Sequence, residues 1–189
     1  YMTVEEQSRQ IRMVKANTAL AGASVGARGD YLKEATSLAQ AGAGLILIDV
    51  ANGHSQIAID AVKNMKSLFG NDVHIMAGNV ATWDGYARLA DAGADSIRVG
   101  IGGGSACTTR VVSGHGMPTL ASILDIREHF SYDEGPSIIA DGGIRNSGDA
   151  AKALAAGAQA VMVGRILAGT TESPGDVVDG KKVFRGMAS

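Results

Sequence analysis

Ala41-Gly-Ala-Gly-Leu-Ile-Leu-Ile-Asp49 decides the fold. Before it, Asp30 stands where a helix N-cap belongs, and Leu32, Ala35 and Leu38-Ala39 keep helical spacing up to Ala41. Gly42 then has the position of a helix C-terminal stop. Leu45 to Ile48 is an unbroken apolar run, the pattern of a strand covered on both faces in a parallel sheet, and Asp49 closes it with a carboxylate. Helix, glycine stop, buried strand and polar end make one unit of a parallel α/β fold.

The Ala-Gly-Ala element returns at Gly93 and Gly157, each time between a helical pattern and an apolar run. The first interval is 51 residues and holds two strand-helix units; the second is 64 and also holds two. The surplus sits in one connection, roughly Gly102 to Pro118. Outward from these markers the pattern predicts strands over 20–25, 44–49, 74–79, 96–100, 136–141 and 160–164. Helices are expected from a capping box at Thr3-Val-Glu-Glu6 to Lys15, with Val4, Ile11 and Val14 on one side, and over 30–41, from Ser55, from Thr82 to Ala92, over 119–130 and over 147–156. Six strands alternating with helices mean an α/β fold. The regular period favours a (β/α)8 TIM barrel over an open doubly wound sheet. A barrel needs eight strands, so the chain reads as one partial barrel domain over 1–189, with about six of eight strand-helix units.

Composition narrows the function. The chain has 189 residues, 46% of them hydrophobic, and a net charge of -2, which supports a sizeable core and offers no basic patch to nucleic acid. No apolar run approaches the roughly 18 residues of a membrane span, and Tyr1-Met-Thr-Val-Glu-Glu lacks a signal-peptide pattern. One cysteine makes no internal disulfide, so a reducing, cytoplasmic setting is expected. Aromatic residues, at 4%, are too sparse for a base-stacking platform.

That single cysteine lies in Val99-Gly-Ile-Gly-Gly-Gly-Ser-Ala-Cys-Thr-Thr-Arg110. Glycine fills four of the five positions from 100 to 104, which lets the backbone approach a ligand closely. A free cysteine is commonly a small buried hydrophobe; in this loop it reads as a nucleophile. Barrel sites lie at the carboxyl ends of strands, where the sequence places Ser24, Asp49 with Asn52, Asn79, the Cys107 loop, Asp141-Gly142-Gly143 and Gly164-Arg165. Ser24 reads better as a loop cap. Backbone N–H groups after the last two strands suit a phosphate, and Arg165 either adds charge there or is a solvated surface cation. Together these features suggest a phosphorylated substrate attacked by sulfur. No histidine adjoins Cys107: His115 is eight residues on, His54 follows the Asp49 strand, and His74 and His129 have surface positions. No metal-ligand spacing is present, and Gly100-Ile-Gly102 opens a loop rather than a Rossmann turn.

Val99 to Pro118 resembles the catalytic-cysteine loop of the IMP dehydrogenase / GMP reductase family. So do Asp49-Val-Ala-Asn-Gly-His-Ser55, Ala77-Gly-Asn-Val80, Ile139-Ala-Asp-Gly-Gly-Ile-Arg145, Ala168-Gly-Thr-Thr-Glu-Ser-Pro-Gly175 and Arg185-Gly-Met187. The resemblance implies that Cys107 adds to C2 of a purine nucleotide monophosphate and that Thr109 helps handle water or ammonia. It implies substrate contacts from Ser105, Asp141, Gly142, Gly143, Gly164 and Met187, and Arg165 is placed with them on its strand-end position alone. Asp49, Asn79, Gly100 and Gly102 fall on the side of an NAD or NADP cofactor. The carbonyls of Gly102, Gly104 and Cys107 match a monovalent-cation site, often K+, and a homotetramer is implied. Gly103 stands where the family commonly has proline, which leaves the loop less preorganised, and Arg165 where a small residue is common. No room exists between Lys15 and Ala19 for a CBS module, and the family's flap falls beyond Ser189. Val111-Val112-Ser113 is closer to the dehydrogenase loop, whereas Asp49-Val-Ala-Asn52, Ala188 and the absent module lean towards the reductase. The reading adopted is IMP dehydrogenase acting on IMP to give XMP, with GMP reductase as the alternative and a non-catalytic nucleotide-binding barrel behind both.

Overall fold

The three Ala-Gly-Ala elements are three copies of one helix cap in the computed structural model, which describes residues 2–131, 134–173 and 175–183. Gly42, Gly93 and Gly157 have φ of 109°, 99° and 110°. Beyond each, an alanine N–H reaches back five residues to a helix carbonyl: Ala43 to Leu38, Ala94 to Leu89 and Ala158 to Ala153, each at 3.1 Å. This is the Schellman closure, which needs a left-handed residue and therefore selects glycine. The sequence repeat is thus a repeat of one stop-and-return geometry.

By contact the chain falls into two units, Tyr1–Val80 with Asp84–Ile97, and Ala81–Trp83 with Arg98–Ser189. The first begins with α1 (Val4–Lys15), whose capping box forms as expected: Glu6 N donates to Thr3 Oγ1 at 3.2 Å and Thr3 N to Glu6 Oε2 at 2.7 Å. The Thr3 backbone N–H holds the Glu6 carboxyl below its ordinary pKa. β1 (Gly22–Val25), α2 (Tyr31–Gln40), β2 (Leu45–Asp49), α3 (Gln56–Phe69) and β3 (His74–Val80) follow. β1, β2 and β3 are parallel neighbours, with Leu47 between Ser24 and Met76 and Asp49 opposite Gly78. The unbroken run of β2 is covered as its composition requires, with Ile46, Leu47 and Ile48 all buried. Leu38, Val62, Met65 and Leu89 complete this core from α2, α3 and α4 (Trp83–Asp91).

Two details of this unit differ from expectation. Asp30 occupies the N-cap of α2 but makes no side-chain cap bond, because its backbone is not in the extended conformation that aims the carboxylate at the helix N–H groups. Val14 is exposed, so α1 buries Ile11 without it.

Past the second cap, Asp95 joins three elements. Its Oδ1 meets Lys66 Nζ at 2.7 Å and its Oδ2 accepts Ile75 N at 2.8 Å. Asp95→Ala strips the Ile75 N–H of a charged acceptor and removes a partly screened ion pair, so a loss of about 2 kcal/mol is expected. Urea unfolding checks it: the midpoint should fall with an unchanged slope, and an unchanged midpoint would refute it.

The second unit takes the end of β4 (Ser96–Val99), then α5 (Thr109–Ser113), α6 (Thr119–Arg127), β5 (Ser137–Asp141), α7 (Ser147–Ala155), β6 (Ala160–Met162), α8 (Arg165–Ala168) and a hairpin of β7 (Val177–Val178) and β8 (Lys181–Lys182). β5 and β6 pair in parallel, Ile139 to Ala160 and Asp141 to Met162. Asn146 caps α7 by accepting Asp149 N at 2.9 Å. Asp149 in turn accepts Arg145 N at 3.1 Å, a bond that holds its carboxyl below the usual range. α6 is shorter than predicted and turned: it buries Ser122, Ile123 and Ile126 and exposes Leu120 and Leu124. With isoleucine or leucine on both sides of Thr119–Arg127, its sequence has no single apolar face. Arg127, its last residue, donates through Nε and Nη2 to Gly157 O at 2.9 and 2.6 Å. Among the described residues, six strands alternating with helices give the α/β class expected, with about six of the eight units of a barrel.

Candidate active site

β4 ends at Val99, and an antiparallel bridge between Ile101 and Met117 closes the loop that follows, with Met117 N donating to Ile101 O at 3.0 Å. The neck of this loop lies backbone to backbone on the turn after β5. A Cβ on Gly100 (φ 139°) would fall 2.0 Å from Asp141 O, and one on Gly142 would fall 2.9 Å from Gly104 N. Gly103 belongs to the same contact: its Cβ would meet Thr119 Oγ1 at 2.9 Å and Gly142 C at 3.2 Å. A ring at this position would crowd the turn, so glycine here trades stiffness for close approach.

Cys107 is exposed inside the loop. Its N–H donates to Gly104 O at 3.1 Å, and its thiol donates to Thr109 Oγ1 at 3.2 Å. Thr109 is the first residue of α5, so the short helix sets the hydroxyl end of this pair. A hydroxyl can rotate, so once the thiol loses its proton the Thr109 O–H can turn and donate to the sulfur. The loop thus presents an exposed thiol beside a group able to solvate its thiolate.

The proposed substrate residues divide between two clefts of the second unit. Ser105 and Arg165 line one of about 830 Å³, together with Thr170, Thr171, Lys181 and Lys182. Three cations in one cleft suit an anionic group; Lys182 Nζ also donates to Thr170 O and Ser173 O. Gly142 and Gly143 line a second cleft of about 370 Å³ with Gly103, Arg110, Thr119 and Arg145. Gly164 is the N-cap of α8, immediately before Arg165. Met187 lies outside the described residues.

Asp141 has a partner that sequence reasoning missed. Arg98, on β4, donates through Nε and Nη2 to Asp141 Oδ2 at 3.1 and 2.8 Å, with both side chains largely covered. The signal was present in Ser96-Ile-Arg-Val99, because a charge inside an otherwise apolar strand requires a partner.

In the first unit, Asp49 and Asn79 lie side by side at the carboxyl ends of β2 and β3, bound through Val50 N to Gly78 O and Asn79 N to Val50 O, both 3.2 Å. Gly53 N donates to Asn79 O at 2.8 Å, and a Cβ on Gly53 would come within 3.0 Å of that oxygen. Asp49 is exposed at this strand end, where a carboxylate fits the hydroxyls of a dinucleotide. Gly100 and Gly102, assigned to the same cofactor, belong to the second unit. The carbonyls of Gly102, Gly104 and Cys107 are all-oxygen donors of one short segment, which fits a hard alkali cation. Gly104 O already accepts the Cys107 N–H, and a carbonyl has a second lone pair to offer.

The histidines have other partners. His115 Nδ1 is 2.6 Å from Ser113 O, His74 Nε2 is 2.8 Å from Ser96 Oγ, and His129 stacks on Trp83 at 4.8 Å. His54 N donates to Asn52 Oδ1. Among the described residues no three or more His, Cys, Asp or Glu side chains gather as for a metal ion, and no helix is long and apolar enough to cross a membrane.

The family described as "IMP dehydrogenase / GMP reductase domain" matches residues 1–189. An inosine-5'-monophosphate dehydrogenase of Nitrosopumilus maritimus is 50% identical over 93% of this chain and 37% of its own length. A GMP reductase of Leishmania donovani is 46% identical over 89% of the chain and 35% of its own. The crystal structure of a GMP reductase variant from Trypanosoma brucei superposes with a TM-score of 0.80 at 43% identity, covering 89% of this chain and 38% of that one. The chain therefore spans somewhat more than a third of the length of these relatives, and the superposition bears out its reading as part of a (β/α)8 barrel. With the whole of its sequence matched and its relatives this similar, the chain belongs to the IMP dehydrogenase / GMP reductase family.

Proposed function

We propose that the protein is an IMP dehydrogenase in which Cys107 is the nucleophile. The observation that carries this reading is the exposed Cys107 thiol bonded to Thr109 within a loop laid on the Asp141 turn. The Cys107 sulfur adds to C2 of IMP, and the hydrogen on C2 leaves with its electron pair. NAD+, when bound, supplies the acceptor for that hydride. Water then attacks C2 of the Cys107 thioimidate, the C–S bond breaks, and XMP leaves with the thiol restored. Dividing the substitution into two steps lowers each barrier, and the role given to Thr109 is to orient the incoming water. Asp141, held by Arg98, takes the ribose hydroxyls, and Ser105 and Arg165 take the phosphate. The proposal includes K+ on the loop carbonyls, a homotetramer and a cytoplasmic setting.

A second reading, GMP reductase, is favoured by the near-equal identity of the reductase relatives. There Cys107 adds to C2 of GMP, ammonia leaves, and hydride from NADPH displaces the thiol to give IMP. One assay separates them. Incubation with IMP and NAD+ is expected to yield XMP and NADH in equal amounts, with no NADPH consumed in the presence of GMP. The opposite pattern would assign the reductase, and no reaction with either pair would overturn both.

A further inference from the structure

Thr119 has no part in the chemistry above, yet its hydroxyl sits where the loop and the β5 turn meet. It donates to Gly142 O at 3.0 Å and, sharing the same proton, to Asp141 O at 3.3 Å. The same oxygen would be 2.9 Å from a Cβ on Gly103 and 3.0 Å from one on Gly100. One half-buried atom therefore packs against Gly100 and Gly103, in the glycine segment leading to Cys107, and bonds the carbonyls of Asp141 and Gly142 at the end of β5. The Ile101–Met117 bridge ends two residues earlier, so the clamp that closes the loop also delivers this hydroxyl. α6 is entered through Pro118 without a side-chain cap bond, and the first hydroxyl of the helix serves the neighbouring turn instead.

We propose that Thr119 is a positioning residue that keeps the cysteine loop in register with the Asp141-Gly142 turn, so that a nucleotide held at the turn is presented to the Cys107 sulfur. This rests on the function proposed above. Only a small side chain with a donor fits the slot. Valine matches threonine in shape but turns a methyl towards two carbonyls, whereas serine keeps the donor. The turn and the loop would then drift relative to each other, and small misplacements are costly for a nucleophile and its target.

The test is protection of Cys107 from iodoacetamide by IMP, read as the IMP concentration that halves the alkylation rate, in the protein and its Thr119→Val and Thr119→Ser variants. Thr119→Val is expected to raise that concentration on the order of tenfold, with Thr119→Ser close to the parent protein and melting temperatures alike. Should Thr119→Val fold poorly, a double-mutant cycle takes its place. Gly103→Ala must push against the Thr119 hydroxyl, so its loss of protection should shrink in a Thr119→Ala background. Equal protection in Thr119→Val and the parent, or additive effects in the cycle, would overturn the proposal. Failure of both IMP and GMP to protect the parent protein would instead overturn the functional reading, and the positioning role with it.

Discussion

Cys107→Ala is expected to abolish XMP formation, lowering turnover by at least about 10⁴-fold while leaving the melting temperature unchanged. The magnitude follows from what removal of a covalent nucleophile costs when the remaining groups act only through it. Stability should be indifferent because the thiol is exposed and its side-chain bond is to the hydroxyl of Thr109 at the start of the short α5. Alanine cannot form the C–S bond at C2, so neither the hydride step nor the hydrolysis that follows has an intermediate to act on. Nucleotide binding should survive, since Asp141, Arg98 and the basic cleft around Arg165 are untouched. Steady-state production of NADH together with equilibrium binding of IMP checks both halves. Retained turnover in this variant would remove Cys107 from the mechanism.

Gly100→Ala should be the most damaging small substitution in the second unit. Its backbone has φ 139°, a conformation that residues with a side chain rarely adopt, and its Cβ would lie 2.0 Å from Asp141 O. The atom it meets is backbone, so no flexible side chain can yield; the loop or the turn must move. Backbone strain and overpacking of about 1–3 kcal/mol each suggest a loss of roughly 4 kcal/mol. For a chain of this size that corresponds to a melting temperature lower by about 8–16 °C. Gly26→Ala is the matched control, because nothing lies within 4 Å of its added Cβ. It should change stability by less than about 0.5 kcal/mol. A Gly100→Ala protein as stable as the Gly26→Ala one would show that the contact with Asp141 is not tight in solution.

The strand-helix order was legible in the sequence because burial on both faces leaves continuous apolar runs such as Leu45 to Ile48, and because each Schellman closure demands glycine at one place. The faces of helices were less so. Thr119–Arg127 offers leucine on one side and isoleucine on the other, and only packing against neighbours decides that Ile123 and Ile126 go inward. Asp30 shows the same limit, since a capping residue type does not guarantee a capping backbone. For the site, Cys107 and Thr109 are two residues apart in the chain, so their pairing could be anticipated. Arg98 and Thr119 act on groups more than twenty residues away, and their partners emerge only when β4, α6 and the β5 turn are assembled. The division of the substrate residues between two clefts was equally invisible, because strand ends predict a rim but not how loops partition it.

The Ile101–Met117 bridge gives the cysteine loop a tied neck. Outside the Gly102–Gly104 stretch packed on the Asp141 turn, the exposed residues between those two can change without altering where β4 ends or where α6 begins. Such a segment behaves as a cartridge in a fixed housing. In the proposed mechanism the housing would hold the nucleotide, and the cartridge would set the chemistry at its C2 atom.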